Sequence, residues 1–164
     1  MSNSSPTQAG SLQGLLMPLA SGYLLLPSAA TVEVLRYPKL EQADADKADW
    51  YLGNLQWRRS SLPVISWEKL TGQSTIETDN AETGTNQRKR IVVCHLFLSS
   101  AEAAFVGIEV HGLPQLITVD EADIQTAKEV PNIKLIIGEL TLKDFSAQIP
   151  DLERLAKKLV SLVK

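Results

Sequence analysis

A thiol beside an imidazole is the pairing that cysteine nucleophiles use, so chemistry is first sought at Cys94, His95 and His111. Cys94 is the only cysteine and the chain has two histidines. Cys94 and His95 lie inside Ile91-Val92-Val93-Cys94-His95-Leu96-Phe97-Leu98, a nearly continuous apolar run that reads as a strand covered on both faces. Neighbouring strand residues point to opposite faces, which sets the thiol and the imidazole apart. His111 falls at a predicted His111-Gly112 turn. No Cys/His spacing supplies four metal ligands, and a lone buried thiol behaves as a small hydrophobe. Asp44, Asp46 and Asp49 lie close together, but their segment lacks the glycine and terminal glutamate of a calcium loop. Neither GxxxxGK[ST] nor GxGxxG occurs. No enzyme, cofactor or metal is expected.

The elements that would carry other functions are mostly strands. Met1 to Ser11 is polar and predicted to be a flexible tail, leaving 12–164 as a single domain. Leu12–Leu19 and Tyr23–Leu26 are joined by Ala20-Ser21-Gly22, a hairpin signal. Thr31 to Arg36 alternates polar and apolar, as a half-buried strand does. Tyr37 to Asp49 is an acidic connector. Tyr51–Trp57 and Leu62–Trp67 are strands around the polar Arg58-Arg59-Ser60-Ser61. Gly72 to Gln87 is a loop. Strands follow over Arg90–Leu98, Ala103–Val110, Leu113–Val119, Ile133–Leu142 and Phe145–Ile149. After Pro150 and Asp151 the period changes: Leu152, Leu155, Ala156, Leu159, Val160 and Val163 recur at steps of three and four, with Glu153, Arg154, Lys157 and Lys158 opposite. That is an amphipathic helix whose stripe must be buried on the strands. Many short, evenly spaced strands with one closing helix point to small antiparallel barrels, which leave no open edge. No internal repeat is visible in the sequence.

Composition narrows the function. The chain has 164 residues, 44% of them hydrophobic, and a net charge of −3. Nucleic-acid binders usually carry a basic face, and the one dense basic cluster, Arg88-Lys89-Arg90, leads straight into an apolar strand. Met1 to Gln13 has no lysine or arginine, unlike the start of a secretory signal. The longest apolar stretch, Leu15 to Pro27, is broken by Pro18, Ser21 and Gly22 and is too short to span a bilayer. A cytoplasmic location follows by elimination, as an expectation.

The segment Gly53-Asn54-Leu55-Gln56-Trp57-Arg58-Arg59-Ser60-Ser61-Leu62-Pro63-Val64-Ile65-Ser66-Trp67 resembles the signature of the CheW-like domain family: a glycine before an apolar strand ending in Arg-Gly, a short turn, then an apolar-Pro-Val-apolar strand. Thr31-Val32-Glu33-Val34 is similar to the family's valine–glutamate–valine segment. Arg90-Ile91-Val92-Val93, Phe105-Val106-Gly107-Ile108-Glu109-Val110, Ile136-Ile137-Gly138 and the final helix match its later elements in order. The single-domain size and the Trp57-Arg58 form look most like members from chemosensory pili systems. Two departures stand out. Arg59 replaces the glycine expected after Arg58, so the turn cannot draw on a glycine's freedom at positive φ. His111 replaces an aspartate.

The resemblance implies a mostly β fold of two interleaved five-stranded SH3-like β-barrels with a C-terminal amphipathic helix. It implies a non-catalytic adaptor that couples the cytoplasmic tip of a methyl-accepting chemoreceptor to the CheW-like regulatory domain of a CheA-type histidine kinase, here in type IV pili twitching motility. The partner-binding residues it points to are Glu33, Gly53, Leu55, Trp57, Arg58, Arg59, Pro63 and Val64. Glu33 and Arg58 match a pair of surface charges in the family, and the alternative for them is an ordinary exposed ion pair. Leu55 and Val64 are either docking surface or core. Trp67 is a further contact candidate by its type, and Val106, Gly107 and Ile108 read as core. A different class stays open beside the adaptor: a small β-barrel nucleic-acid-binding protein, against which the negative charge and the 5% aromatic content speak.

Overall fold

The computed structural model describes residues 11–20, 22–42, 48–72, 89–96, 105–120, 122, 124–126, 135–142 and 145–163. The expected tail up to residue 10, most of the acidic connector's aspartates and the expected loop from 73 to 87 lie outside the described residues. Eleven strands form, among the described residues: β1 Ser11–Pro18, β2 Tyr23–Pro27, β3 Thr31–Arg36, β4 Tyr51–Trp57, β5 Ser60–Ile65, β6 Arg90–His95, β7 Phe105–Val110, β8 Gln115–Asp120, β9 Ile124–Thr126, β10 Ile136–Leu142 and β11 Phe145–Pro150. A one-turn helix, α1 Trp67–Leu70, follows β5, and a longer helix, α2 Leu152–Val163, follows β11.

The strands make two sheets. In space one runs β3, β6, β7, β5, β4 and the other β8, β1, β2, β11, β10, β9. The two-barrel architecture expected from the family is present, and the second sheet gains the three-residue β9 as a sixth strand. Both sheets follow one plan. Each has a single parallel pair, β7 with β5 and β2 with β11, and every other neighbour is antiparallel. Each parallel pair includes the strand that leads into a helix. Both long hairpins slip register at the same place, between Tyr51 and Gly53 in β4 and between Ile136 and Gly138 in β10. The chain is cut differently in the two copies. The first barrel uses β3–β7 in one run, whereas the second takes β8–β11 and borrows β1 and β2 from the other end.

The edges of the first sheet meet through the segment after β3. The Glu41 amide donates to the Asn54 carbonyl at 2.8 Å, and the Asn54 amide returns a bond to Glu41 at 3.0 Å. Gly53 permits this approach. Its φ is +134°, and a Cβ there would run into the Glu41 carbonyl oxygen. Gly107 has a packing reason instead: a Cβ would sit 2.9 Å from Ile91 Cγ2 and 3.1 Å from Val64 Cγ2.

Strand alternation divides the side chains among three cores. Leu55, Trp57, Leu62, Val64, Ile91 and Val93 fill the first barrel. Leu16, Leu25, Val119, Leu140 and Ala147 fill the second. The largest core lies between the barrels and takes the other faces of β1, β2, β6 and β7, among them Met17, Leu24, Val92, Cys94 and Ile108. Leu155, Ala156 and Leu159 of α2 close it, with Leu152 packed against it, so these residues of the helical stripe find their cover there. Asp151 caps α2, its carboxylate accepting from the Arg154 amide at 3.1 Å. Val106 and Ile108 are core, as their apolar run implied. Trp67 is a correction: it is 1% exposed, packs between the barrels, and its indole N–H donates to Gln148 Oε1 at 3.1 Å. It has no surface to offer a partner.

Candidate functional site

Trp57 pairs with Ser60, so only Arg58 and Arg59 turn the β4–β5 hairpin. Two-residue hairpin turns that match strand twist need positive φ at both central residues, usually met by Asn-Gly. Here both are arginines, Arg58 at φ +45° and Arg59 at φ +63°. The absent glycine therefore did not prevent a left-handed turn, because the register of β4 and β5 leaves no other path. Each such L-residue costs about 1–2 kcal/mol. Strain of this kind persists where surroundings over-determine it, and it clusters at functional sites.

The surroundings are visible. β3 and β4 lie at opposite edges of their sheet, and the barrel brings them together. Glu33 of β3 accepts the Trp57 indole N–H at 2.8 Å and an Arg58 guanidinium N–H at 3.3 Å on the same oxygen, Oε2. The Arg58 guanidinium carbon sits 4.6 Å from the centre of the Trp57 ring. Trp57 in turn leans on Phe105, with ring centroids 5.1 Å apart. One carboxylate thus gathers an indole and a guanidinium across the barrel seam. Thr31 to Arg36 alternates as its sequence promised, with the faces exchanged: Val32 and Val34 are 38% and 41% exposed, and Glu33 turns towards Trp57.

The other expected site residues divide by burial. Arg58 and Arg59 are exposed and Pro63 is half-buried on β5. Gly53 is buried at the register slip, and Leu55 and Val64 lie in the interior of the first barrel. Trp57 is buried apart from its rim. Arg59 has neither an ion pair nor a hydrogen bond among the described residues.

Sequence reasoning missed a second polar cluster. Glu109 of β7 accepts the Tyr37 hydroxyl at 2.7 Å, with Lys89 Nζ at 3.6 Å and His111 Nε2 at 3.7 Å from its other oxygen. Burial, then the hydrogen bond to Glu109, raise the Tyr37 hydroxyl well above its ordinary pKa. The His111 amide donates to the Pro18 carbonyl at 2.8 Å, tying the passage between barrels to β1. Tyr37 and Glu109 lie 72 positions apart with nothing local to link them, and no motif could have found them.

The pairing of Cys94 with His95 does not form. Cys94 faces the core between the barrels, where burial pushes its thiol up to about 12. The His95 ring packs edge-on against Phe105 instead, 5.2 Å between centroids.

A family model described as the CheW-like domain matches residues 13–160, which takes in the whole hairpin and Glu33. Among solved structures, the scaffolding protein TtCheW from Thermoanaerobacter tengcongensis is similar at a TM-score of 0.73. It is 18% identical, and the alignment covers 94% of this chain and 92% of that one. At that identity the likeness concerns the fold. No curated protein sequence matches.

Proposed function

The chain belongs to the CheW-like domain family, and from that premise we propose that it is a chemosensory adaptor. It holds a methyl-accepting chemoreceptor and a CheA-type histidine kinase together and catalyses nothing itself. The face built by Glu33, Trp57, Arg58, Arg59 and Pro63 meets a protein partner, with Gly53, Leu55 and Val64 shaping the hairpin from inside. The kinase contributes its CheW-like regulatory domain and the receptor its cytoplasmic tip. The form of the motif favours a chemosensory pili system, with twitching motility as the output and the cytoplasmic side of receptor arrays as the place.

The observation that carries this proposal is the Glu33–Trp57–Arg58 cluster on a strained turn. Arg58 and Glu33 side chains are 64% and 37% exposed. An exposed pair contributes about 0–1 kcal/mol, which does not offset two left-handed arginines at about 1–2 kcal/mol each. Partner choice is the better account, since charge placement sets specificity more than affinity.

The test is a pull-down from cells of the source organism with the full chain as bait. Recovery of a histidine kinase and a methyl-accepting receptor is expected, and deletion of the coding sequence should impair twitching. Recovery of neither protein contradicts the proposal, and an intact twitching response contradicts the pili assignment.

A further inference from the structure

The two arginines of the hairpin turn are not equivalent. Arg58 is engaged: its guanidinium bonds to Glu33 and lies over the Trp57 ring. Arg59 follows it on the same turn, exposed, at φ +63°, with no ionic or hydrogen-bonding partner among the described residues. A left-handed arginine is a poor choice for a turn whose conformation glycine adopts freely. Among the described residues no ion pair or hydrogen bond uses the Arg59 side chain, and its charge is what distinguishes it from the glycine that would suit the backbone.

We propose that Arg59 is a specificity-determining docking cation, which donates to a carboxylate on an acidic protein surface while Arg58 stays bound to Glu33. A guanidinium is suited to this because its planar fork meets a carboxylate through two parallel hydrogen bonds. The tight turn limits where that fork can lie, and Glu33, the nearby carboxylate, pairs with Arg58. The net charge of −3 disfavours a phosphate backbone as the anion. The inference rests on the adaptor function proposed above and adds the chemistry of the partner's contact.

The experiment uses the full chain with Arg59→Lys, Arg59→Gln and Arg59→Gly variants. Binding to the purified CheW-like domain of the kinase and to a receptor-tip fragment is measured across a salt series. Whichever partner carries the carboxylate should bind Arg59→Gln and Arg59→Gly about tenfold more weakly at low salt, with a shallower salt dependence. Arg59→Lys should retain most of the affinity. Arg59→Gly should also melt a few degrees higher, because the turn is relieved. Wild-type affinity of Arg59→Gln for both partners overturns the inference and leaves the adaptor function standing. Weakening by Arg59→Gly alone overturns it too, since the loss would then follow turn shape and not charge. Salt-sensitive retention of an oligonucleotide that Arg59→Gln abolishes reassigns the cation to phosphate. If the folded wild-type chain binds neither protein, the adaptor function falls and this inference with it.

Discussion

At the seam of the first barrel, Glu33, Trp57 and Arg58 form a charged, hydrogen-bonded cluster. On the corresponding flank of the second barrel, the edge strand β8 and its neighbour β1 present Leu116 and Leu12 to solvent, 62% and 51% exposed. The backbones follow one plan down to the register slip before Gly53 and Gly138. What differs is the side chains set on that plan. In the proposed adaptor the docking residues sit on one copy of a repeated scaffold, and the scaffold alone would not have located them. The copies are also not independent bodies, since their largest core lies between them.

That shared core gives the largest expected effect. Trp67→Ala removes a buried indole from the junction and should cost about 3–5 kcal/mol in urea unfolding. The wild type should unfold in one transition, and two resolved transitions would break the claim that the barrels stand or fall together. Next comes closure of the first barrel. Gly53→Ala meets the Glu41 carbonyl at a positive φ and should lose about 1–3 kcal/mol, read as a lowered melting temperature. Unchanged melting would show that closure does not depend on this glycine.

The seam cluster itself should be uneven. Glu33→Ala strands the Trp57 indole N–H and should cost about 1–2 kcal/mol. Arg58→Ala, on the exposed side, should cost about 0–1 kcal/mol. Equal losses in denaturant titrations would mean that the pair, and not the indole bond, holds Glu33. The smallest effect belongs to Cys94. Burial raises its thiol from 9.0 to about 12, so folding favours the protonated form. The associated stability is fully present below the ordinary thiol value and is lost as pH rises through about 12. Stability between pH 6 and pH 8 should therefore not respond to this group, and a thiol reagent should label Cys94 only after unfolding. Rapid labelling of the folded chain would show that the core between the barrels opens.

Much of the fold was legible because its signals are local. The two-residue period marked most strands, and the step of three and four in Leu152, Leu155, Ala156 and Leu159 marked α2. The repeat of the barrel plan was not legible, because it lives in strand order and a shared register slip while the side chains have diverged. Glu33 and Arg58 came into view only through the family resemblance, since their meeting depends on closing a barrel. The role of Trp57 as a donor to Glu33, and the gathering of Tyr37, Lys89 and His111 around Glu109, join distant parts of the chain and left no local trace. Trp67 shows the opposite error: residue type pointed to a surface, and the turn into α1 buried it.

The charge reversal Arg58→Glu tests most directly whether the seam cluster serves partner choice. Binding of the variant to the kinase's CheW-like domain and to the receptor tip is measured beside its circular dichroism and melting curve. At least a tenfold loss of affinity for one partner, with an unchanged spectrum and melting within a few degrees of wild type, is expected. Unaltered binding to both partners, or a chain that no longer folds, would contradict it.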